Sequence, residues 1–131
     1  MRKALGPARA APDNEEERIV NASLATYGST PGVLLLRNVV KTIPNPYGPG
    51  HLTFGLGEGS PDVVGSAPSQ CPNCGHVRAV PIGLEFKTPT GHVEPHQARL
   101  HNAWRGLGWE IDVPRSPDDV GAFLARLQGA R

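Results

Sequence analysis

The stretch from Gly59 to Lys87 decides the fold, because a short apolar run lies at each of its ends. The first run belongs to G-S-P-D-V-V-G (59–65), and the second belongs to P-I-G-L-E-F-K (81–87). Runs of this kind predict two strands, over 62–65 and 82–87, joined by a loop over 66–81. Antiparallel pairing would bring the start of the first strand to the end of the second.

This pairing predicts a polar corner at one end of a sheet. Asp62 opens the first strand, and Glu85 and Lys87 lie on one face of the second, since side chains alternate along a strand. Two carboxylates suit Mg²⁺ or Mn²⁺, with the backbone carbonyl of Phe86 as a third protein ligand, and a neighbouring ammonium suits a phosphate and its attacking water. The opposite face of the second strand is apolar and belongs to a core: Ile82, Leu84 and Phe86.

Length and composition are typical of one small domain. The chain has 131 residues, of which 16 are Gly and 14 are Pro, so we expect a single core with long irregular connections. Residues 1–13 lack periodicity and predict a disordered tail, which leaves 14–131 as the domain. A formal net charge of +1 neither requires nor excludes nucleic acid, because one local basic patch is enough to bind it.

The sequence contains no candidate membrane segment. The N-terminus has no apolar core of a signal peptide, and no run approaches the roughly 20 apolar residues that span a bilayer. We therefore expect a cytoplasmic protein without a membrane partner.

The rest of the chain alternates unevenly between helix and strand patterns. No βαβ repeat is present, so the predicted class is α/β in the α+β sense, a mixed sheet flanked by helices in the order α-β-β-β-α-β-α, with three or four strands before the second helix. The additional predicted elements are helices over about 14–27, 95–106 and 117–128, and strands over 33–40, 51–55 and 109–113.

Three polar side chains interrupt apolar patterns, and each has two interpretations. Glu16 lies on the apolar stripe of the first helix, so it either joins the acidic cluster or only decorates the helix start. Gln97 lies on the predicted buried stripe of the second helix, which runs on to Leu107, and there it either orients a water or Lys87, or caps the helix. Arg37 interrupts a buried strand and is either an exposed edge residue or a phosphate contact.

The motif C-P-N-C-G-H (71–76) resembles half of a zinc site. Cys71 and Cys74 are two residues apart with Pro and Gly shaping the turn, and His76 is a candidate third ligand. A structural zinc needs four ligands, so the fourth would come from elsewhere in the chain or from a second subunit, and two subunits would together offer four cysteines. The alternatives are a knuckle that holds no metal and, with less support, a redox pair.

These elements together resemble the VRR-NUC branch of the PD-(D/E)XK nucleases, over about residues 14–128. The Cys-containing loop departs from that family's minimal pattern. The matching pieces are the acidic start of the first helix (Glu15 to Ile19), Arg37-Asn38, Gly59-Ser60-Pro61-Asp62, Glu85-Phe86-Lys87, Gly91 with Gln97, Gly106-Leu107-Gly108 and Arg115-Ser116-Pro117.

The resemblance implies a restriction-endonuclease-like fold and metal-dependent hydrolysis of DNA phosphodiesters, often in branched or structured DNA, by small domains that can act as homodimers in bacteria and phages. Asp62, Glu85 and Lys87 would then be catalytic, with Gln97 and Glu16 in supporting roles. Arg37 and Ser60 are candidate contacts to nucleic acid. The competing hypotheses are a non-catalytic nucleic-acid-binding module on the same fold and a zinc-stabilised module that binds a protein.

Overall fold

The computed structural model describes residues 14–129, and the tail predicted over 1–13 lies outside them. Within the described residues the chain forms three helices and six strands. In order these are α1 (Glu15–Tyr27), β1 (Leu34–Arg37), β2 (Lys41–Pro44), β3 (His51–Phe54), β4 (Val63–Gln70), β5 (Val77–Leu84), α2 (Pro95–Gly106), β6 (Glu110–Asp112) and α3 (Pro117–Leu127).

The strands form one mixed sheet of four strands and one separate hairpin. The four-stranded sheet has the order β1-β4-β5-β6, and β2 pairs only with β3. The β1–β4 and β4–β5 pairs are antiparallel, whereas β6 runs parallel to β5. In the central pair Val63 lies opposite Leu84, and this register sets the position of every residue at that end of the sheet.

The core lies between one face of the sheet and helices α1 and α3. Its strand members alternate along β4 and β5, as the sequence pattern predicts. Helices α1 and α3 each contribute one row of side chains to the core. Leu24 and Tyr27 of α1 pack against it while remaining partly exposed. The buried members are Ile19, Val20, Val63, Ala67, Val80, Ile82, Leu84, Phe86, Val120, Phe123 and Leu124.

Side chains at the helix starts hold two of these helices in place. Asn14 accepts a hydrogen bond from the backbone N–H of Glu17 at 3.3 Å, and Ser116 accepts one from Asp119 at 3.3 Å. Each satisfies a backbone donor that the first helical turn leaves unpaired. None of the helices within residues 14–129 has the length and apolar character needed to cross a membrane.

The α+β class and the three predicted helices are confirmed, but the predicted loop over 66–81 is wrong in extent. Strand β4 continues to Gln70 and β5 begins at Val77, so only residues 71–76 form the turn. Two prolines inside these strands obscured them. Pro68 lies beyond the part of β4 that pairs with β1, and Pro81 lies just before the part of β5 that pairs with β6, so neither removes a hydrogen bond from a second neighbour.

Two further expectations are corrected. The strand predicted over 33–40 ends at Arg37, and the chain leaves the sheet to form the β2–β3 hairpin, which adds a strand to the predicted order. On α2 the buried side chain is His101, whereas Leu107, predicted on the buried stripe, is 79% exposed. The helix ends at Gly106, so Leu107 no longer follows its face.

Gly65 gives the first testable prediction. A Cβ atom at this position would overlap the carbonyl oxygen of Leu34 on the neighbouring strand. We expect Gly65→Ala to separate β1 from β4 and to lower the free energy of unfolding by about 1–3 kcal/mol, the usual cost of overpacking, measured by urea denaturation.

Gly106→Ala is the matched control, because a Cβ there meets no heavy atom within 4 Å. It should leave stability unchanged or raise it by up to about 1 kcal/mol. Equal stability of the two variants would contradict the close β1–β4 approach.

Candidate metal-dependent catalytic site

A row of residues crosses the sheet at the end where β4 begins and β5 ends. Arg37 lies opposite Val63, and Val63 lies opposite Leu84, so the next residue of each strand continues the row as Asn38, Asp62 and Glu85. Backbone hydrogen bonds extend the sheet through this row: Asn38 N–H donates to the Asp62 carbonyl at 2.8 Å, and Glu85 N–H donates to the Asp112 carbonyl at 3.0 Å. Residues directly opposite each other share a face, so the Asp62 and Glu85 side chains lie side by side.

The Asp62 carboxylate is fixed by the strand that carries Glu85. Its Oδ2 atom accepts a hydrogen bond from the backbone N–H of Phe86 at 2.8 Å. The strand predicted over 82–87 ends at Leu84, and Phe86 lies two residues beyond it, so this bond continues the contact between the two strands past their backbone pairing. The bond orients one carboxylate oxygen and leaves the other for a second partner.

The loop that leads into Asp62 is held by the side chain of Asn38. Its Nδ2 atom donates to Ser60 Oγ at 2.7 Å and to the Pro61 carbonyl at 2.8 Å, and its Oδ1 accepts from Leu56 N–H at 3.0 Å. Ser60 in turn donates to the Gly57 carbonyl. Asn38 therefore positions the residue immediately before Asp62.

Glu85 is almost completely buried, with 2% of its surface exposed. Burial raises its pKa to about 9, and a side-chain hydrogen bond with Asp62 and the charge of Asp62 add to the rise. Lys87 acts in the opposite direction, but less strongly. The Oε1 atom of Glu85 has no hydrogen-bond partner, which is unusual for a buried carboxyl oxygen.

His101 of α2 faces this carboxyl group, a neighbour that sequence reasoning missed. Its Nε2 atom lies 3.6 Å from Glu85 Oε1, too far for a hydrogen bond, and both atoms are buried and unpaired. Burial lowers the pKa of His101, and the charge of Arg105 lowers it further. The available signal was spacing, because His101 follows Gln97 by four residues and so shares its helix face.

Glu16 and Lys87 lie within electrostatic range of the Asp62–Glu85 pair. Partial burial and the charge of Asp62 raise the pKa of Glu16, while Lys87 lowers it. Glu16 therefore faces the site from the first turn of α1, as its place on the apolar stripe predicts. The structure brings together four of the five residues predicted to be catalytic: Glu16, Asp62, Glu85 and Lys87.

Gln97 caps the second helix and also lies beside the candidate site. Its Oε1 atom accepts a hydrogen bond from Glu94 N–H at 2.8 Å, which caps α2. The residue also lines an open cleft that includes Asp62, and its role in orienting water or Lys87 stays a prediction. The cleft is lined by Asn38, Val40, Glu58, Gly59, Ser60, Asp62, His96 and Gln97.

The two candidate nucleic-acid contacts are engaged elsewhere. The Arg37 guanidinium donates to both carboxylate oxygens of Glu17, at 2.7 and 3.1 Å, and to Asn21, so it ties β1 to α1. Ser60 is 6% exposed, and its hydroxyl accepts a hydrogen bond from Asn38 and donates one to the Gly57 carbonyl. Both side chains therefore bond within the protein in this structure, and their contact with nucleic acid stays a prediction.

The donor set at this corner fits a hard divalent cation. Within residues 14–129 no three His, Cys, Asp or Glu side chains form a metal-binding group. Mg²⁺, however, is commonly bound by one or two carboxylates, with water and substrate phosphate completing its coordination. The adjacent Asp62 and Glu85 carboxyls, with one Glu85 oxygen unpaired, supply that number of ligands, and the Phe86 carbonyl is a further candidate.

The C-P-N-C-G-H motif lies at the other end of β4 and β5, in the turn over 71–76. Cys71 is half-buried and Cys74 is exposed, and both are free thiols. His76 is exposed, and its carbonyl oxygen accepts a hydrogen bond from Cys71 N–H at 2.8 Å. The motif is therefore separate from the carboxylate site.

No protein-family model, curated protein or solved structure matches the chain.

Asn38 gives the second prediction. Asn38→Ala removes three hydrogen bonds that hold the segment before Asp62. We expect it to lower the free energy of unfolding by about 1–3 kcal/mol, because buried polar partners are left unpaired, and to increase amide exchange over 56–62. Asn45→Ala is the control, since Asn45 bonds only within its own turn. Unchanged exchange over 56–62 would show that Asn38 does not position Asp62.

Proposed function

We propose that the protein is a Mg²⁺- or Mn²⁺-dependent endodeoxyribonuclease of the PD-(D/E)XK type, within its VRR-NUC branch. The observation that carries the proposal is the pairing of Asp62 with Glu85 at one sheet end, with the charges of Lys87 and Glu16 near enough to shift the pKa of Glu85. A structural ion-pair network would not require two adjacent carboxyls, one of them buried with an unpaired oxygen.

Each residue has a role that follows from its position. Asp62 and Glu85 would hold the metal with the Phe86 carbonyl, and Glu16 would add negative charge beside them. When bound, a divalent metal polarises the phosphate and lowers the pKa of a bound water. Lys87 would hold the attacking water and the phosphate through its ammonium protons, and the Gln97 amide would orient water in the cleft.

The geometry around Asp62 favours a site that is ready before DNA binds. Asp62 is held by Phe86 N–H, and the loop before it is held by Asn38, so neither must reorganise when substrate arrives. Such preorganisation of charged groups is usually a large part of enzymatic rate enhancement. Only water, metal and phosphate then need to enter the open cleft.

The substrate class follows from the family resemblance. We propose branched or otherwise structured DNA as substrate and replication, recombination or repair as the process, in the cytoplasm of a bacterial or phage-infected cell. A panel of four-way junctions, flaps, nicked and plain duplexes of one sequence, incubated with Mg²⁺ or Mn²⁺, would rank these substrates.

Removal of the site side chains gives the third prediction. Asp62→Asn should abolish cleavage, and Lys87→Ala should lower kcat by roughly 10²–10³-fold, the usual cost of losing one group that stabilises transition-state charge. Asp118→Asn and Lys41→Ala remove the same charges from exposed positions and should retain full activity. Circular dichroism should show all four variants folded. Full cleavage by folded Asp62→Asn would overturn the proposal.

Metal removal gives the fourth prediction. EDTA should stop cleavage, and Mg²⁺ or Mn²⁺ in excess over the chelator should restore it. Without DNA, Mn²⁺ titration followed by electron paramagnetic resonance should show binding to the wild-type protein and weaker binding to Asp62→Asn. A non-catalytic DNA-binding module would instead bind DNA equally with and without EDTA and cleave none.

A further inference from the structure

The β4–β5 hairpin ends in a tight turn that contains both cysteines of the chain. Cys71 N–H donates to the His76 carbonyl at 2.8 Å, and Gly75 N–H donates to the Cys71 carbonyl at 2.9 Å. Gly75 has a φ of 74°, a left-handed conformation that residues with a side chain rarely adopt. These backbone bonds close the turn, Gln70 Nε2 also donates to the Gly75 carbonyl at 3.4 Å, and both thiols remain free.

The two cysteines of the turn have the spacing of one half of a zinc site. Cys71 and Cys74 are separated by two residues, and Pro72 and Gly75 shape the turn between and beside them. Structural zinc sites commonly use two cysteines separated by two residues. The turn therefore has the residues and the shape of one half of such a site.

One chain does not complete that site. A structural zinc needs four ligands, usually from Cys and His. The chain has two cysteines and five histidines, all within residues 14–129, and no three metal-ligating side chains there form a metal-binding group. His76, adjacent in sequence, forms no such group with the two cysteines there. Because the chain has two cysteines, a four-thiolate site needs the other two from a second chain.

We propose that Cys71 and Cys74 bind one zinc ion together with Cys71 and Cys74 of a second copy of this chain, so that a four-thiolate zinc site joins two hairpin tips. A two-fold axis through the metal would relate the copies, which is the commonest symmetry of homodimers. Each chain then supplies two of the four ligands. If both thiols of a chain are protonated before zinc binds, that chain releases two protons.

A second copy is favoured because the hairpin and the sheet face beside it are exposed and apolar. Val77 beside the turn is 56% exposed, and Leu34 and Leu36 on the edge strand are each 51% exposed. These side chains share the sheet face opposite the core, since Leu36 pairs with Val64 and Leu34 with Ser66. Ala79 and Pro81 add to the same exposed face. A symmetric contact would cover it in both copies.

The zinc site and the nuclease site can be tested separately. The hairpin turn and the Asp62–Glu85 pair lie at opposite ends of an eight-residue strand, about 25 Å apart at roughly 3.3 Å per residue. Zinc content and subunit mass therefore report on the hairpin alone, whatever the outcome for cleavage.

The experiment is native mass spectrometry and elemental analysis of the full chain, purified with a reductant and without chelator. We expect a dimer with one zinc per two chains. Replacement of zinc by Co²⁺ should give the intense thiolate charge-transfer absorption of a four-thiolate site. Cys71→Ser and Cys74→Ser should each lose the zinc and become monomeric while keeping the wild-type circular dichroism spectrum.

His76→Ala is the matched control, because it changes the same turn without removing a thiol, and it should keep both zinc and dimer. Four results would overturn the proposal. These are one zinc per chain in a monomer, zinc loss in His76→Ala, a protein that holds no zinc even after Zn²⁺ is added, and a dimer that survives loss of the cysteines. A Cys71–Cys74 disulfide that persists in reductant would also overturn the proposal, because oxidised sulfurs cannot bind zinc.

Discussion

The site depends on the antiparallel register of β4 and β5. Val63 opposite Leu84 places Asp62 opposite Glu85, and the Phe86 N–H then meets the Asp62 carboxylate at 2.8 Å. A shift of one residue would turn Glu85 into the core and a core side chain toward the solvent face. The apolar alternation of β5 opposes that shift, because Ile82, Leu84 and Phe86 are completely buried. The packing that stabilises the sheet therefore also fixes the distance between the two carboxyls.

Helix α2 gives this carboxyl pair its unusual environment. His101 covers Glu85, and burial without a hydrogen-bond partner for Oε1 leaves the acid with a pKa raised to about 9. A cation beside Asp62 and Glu85 would offset this cost, since it supplies the charge that solvent no longer provides. The raised pKa of Glu85 would then describe the protein without metal. A neutral His101 imidazole adds no positive charge that would repel a bound cation. Because a carboxyl group must be deprotonated to bind a metal, binding at this pair would become stronger as pH rises toward the pKa of Glu85.

Much of this arrangement was predictable from local pattern, and the remainder was not. The alternation of side chains along strands predicts the Asp62–Glu85 pair, and the apolar stripe of the first helix predicts the inward position of Glu16. Both patterns can be read from a few neighbouring residues. The roles of Asn38 and His101 depend on contacts with Pro61 and Glu85, respectively, far along the chain, which no local pattern specifies. The full length of β4 and β5 was hidden by prolines that are tolerated only because no third strand pairs there.

The two ends of the hairpin differ in the metal they would select. The carboxylate end offers oxygen ligands, which suit Mg²⁺ and Mn²⁺, whereas the turn offers thiolates, which suit zinc. The two proposed sites would therefore differ in ligand type, oxygen at one end and sulfur at the other. Because β4 and β5 connect them directly, a zinc-bound pair of tips would fix the relative orientation of two catalytic clefts. The spacing between two cleavage events on one DNA would then be set by assembly at the cysteines, whereas the chemistry at each cleft would depend only on its own carboxylates.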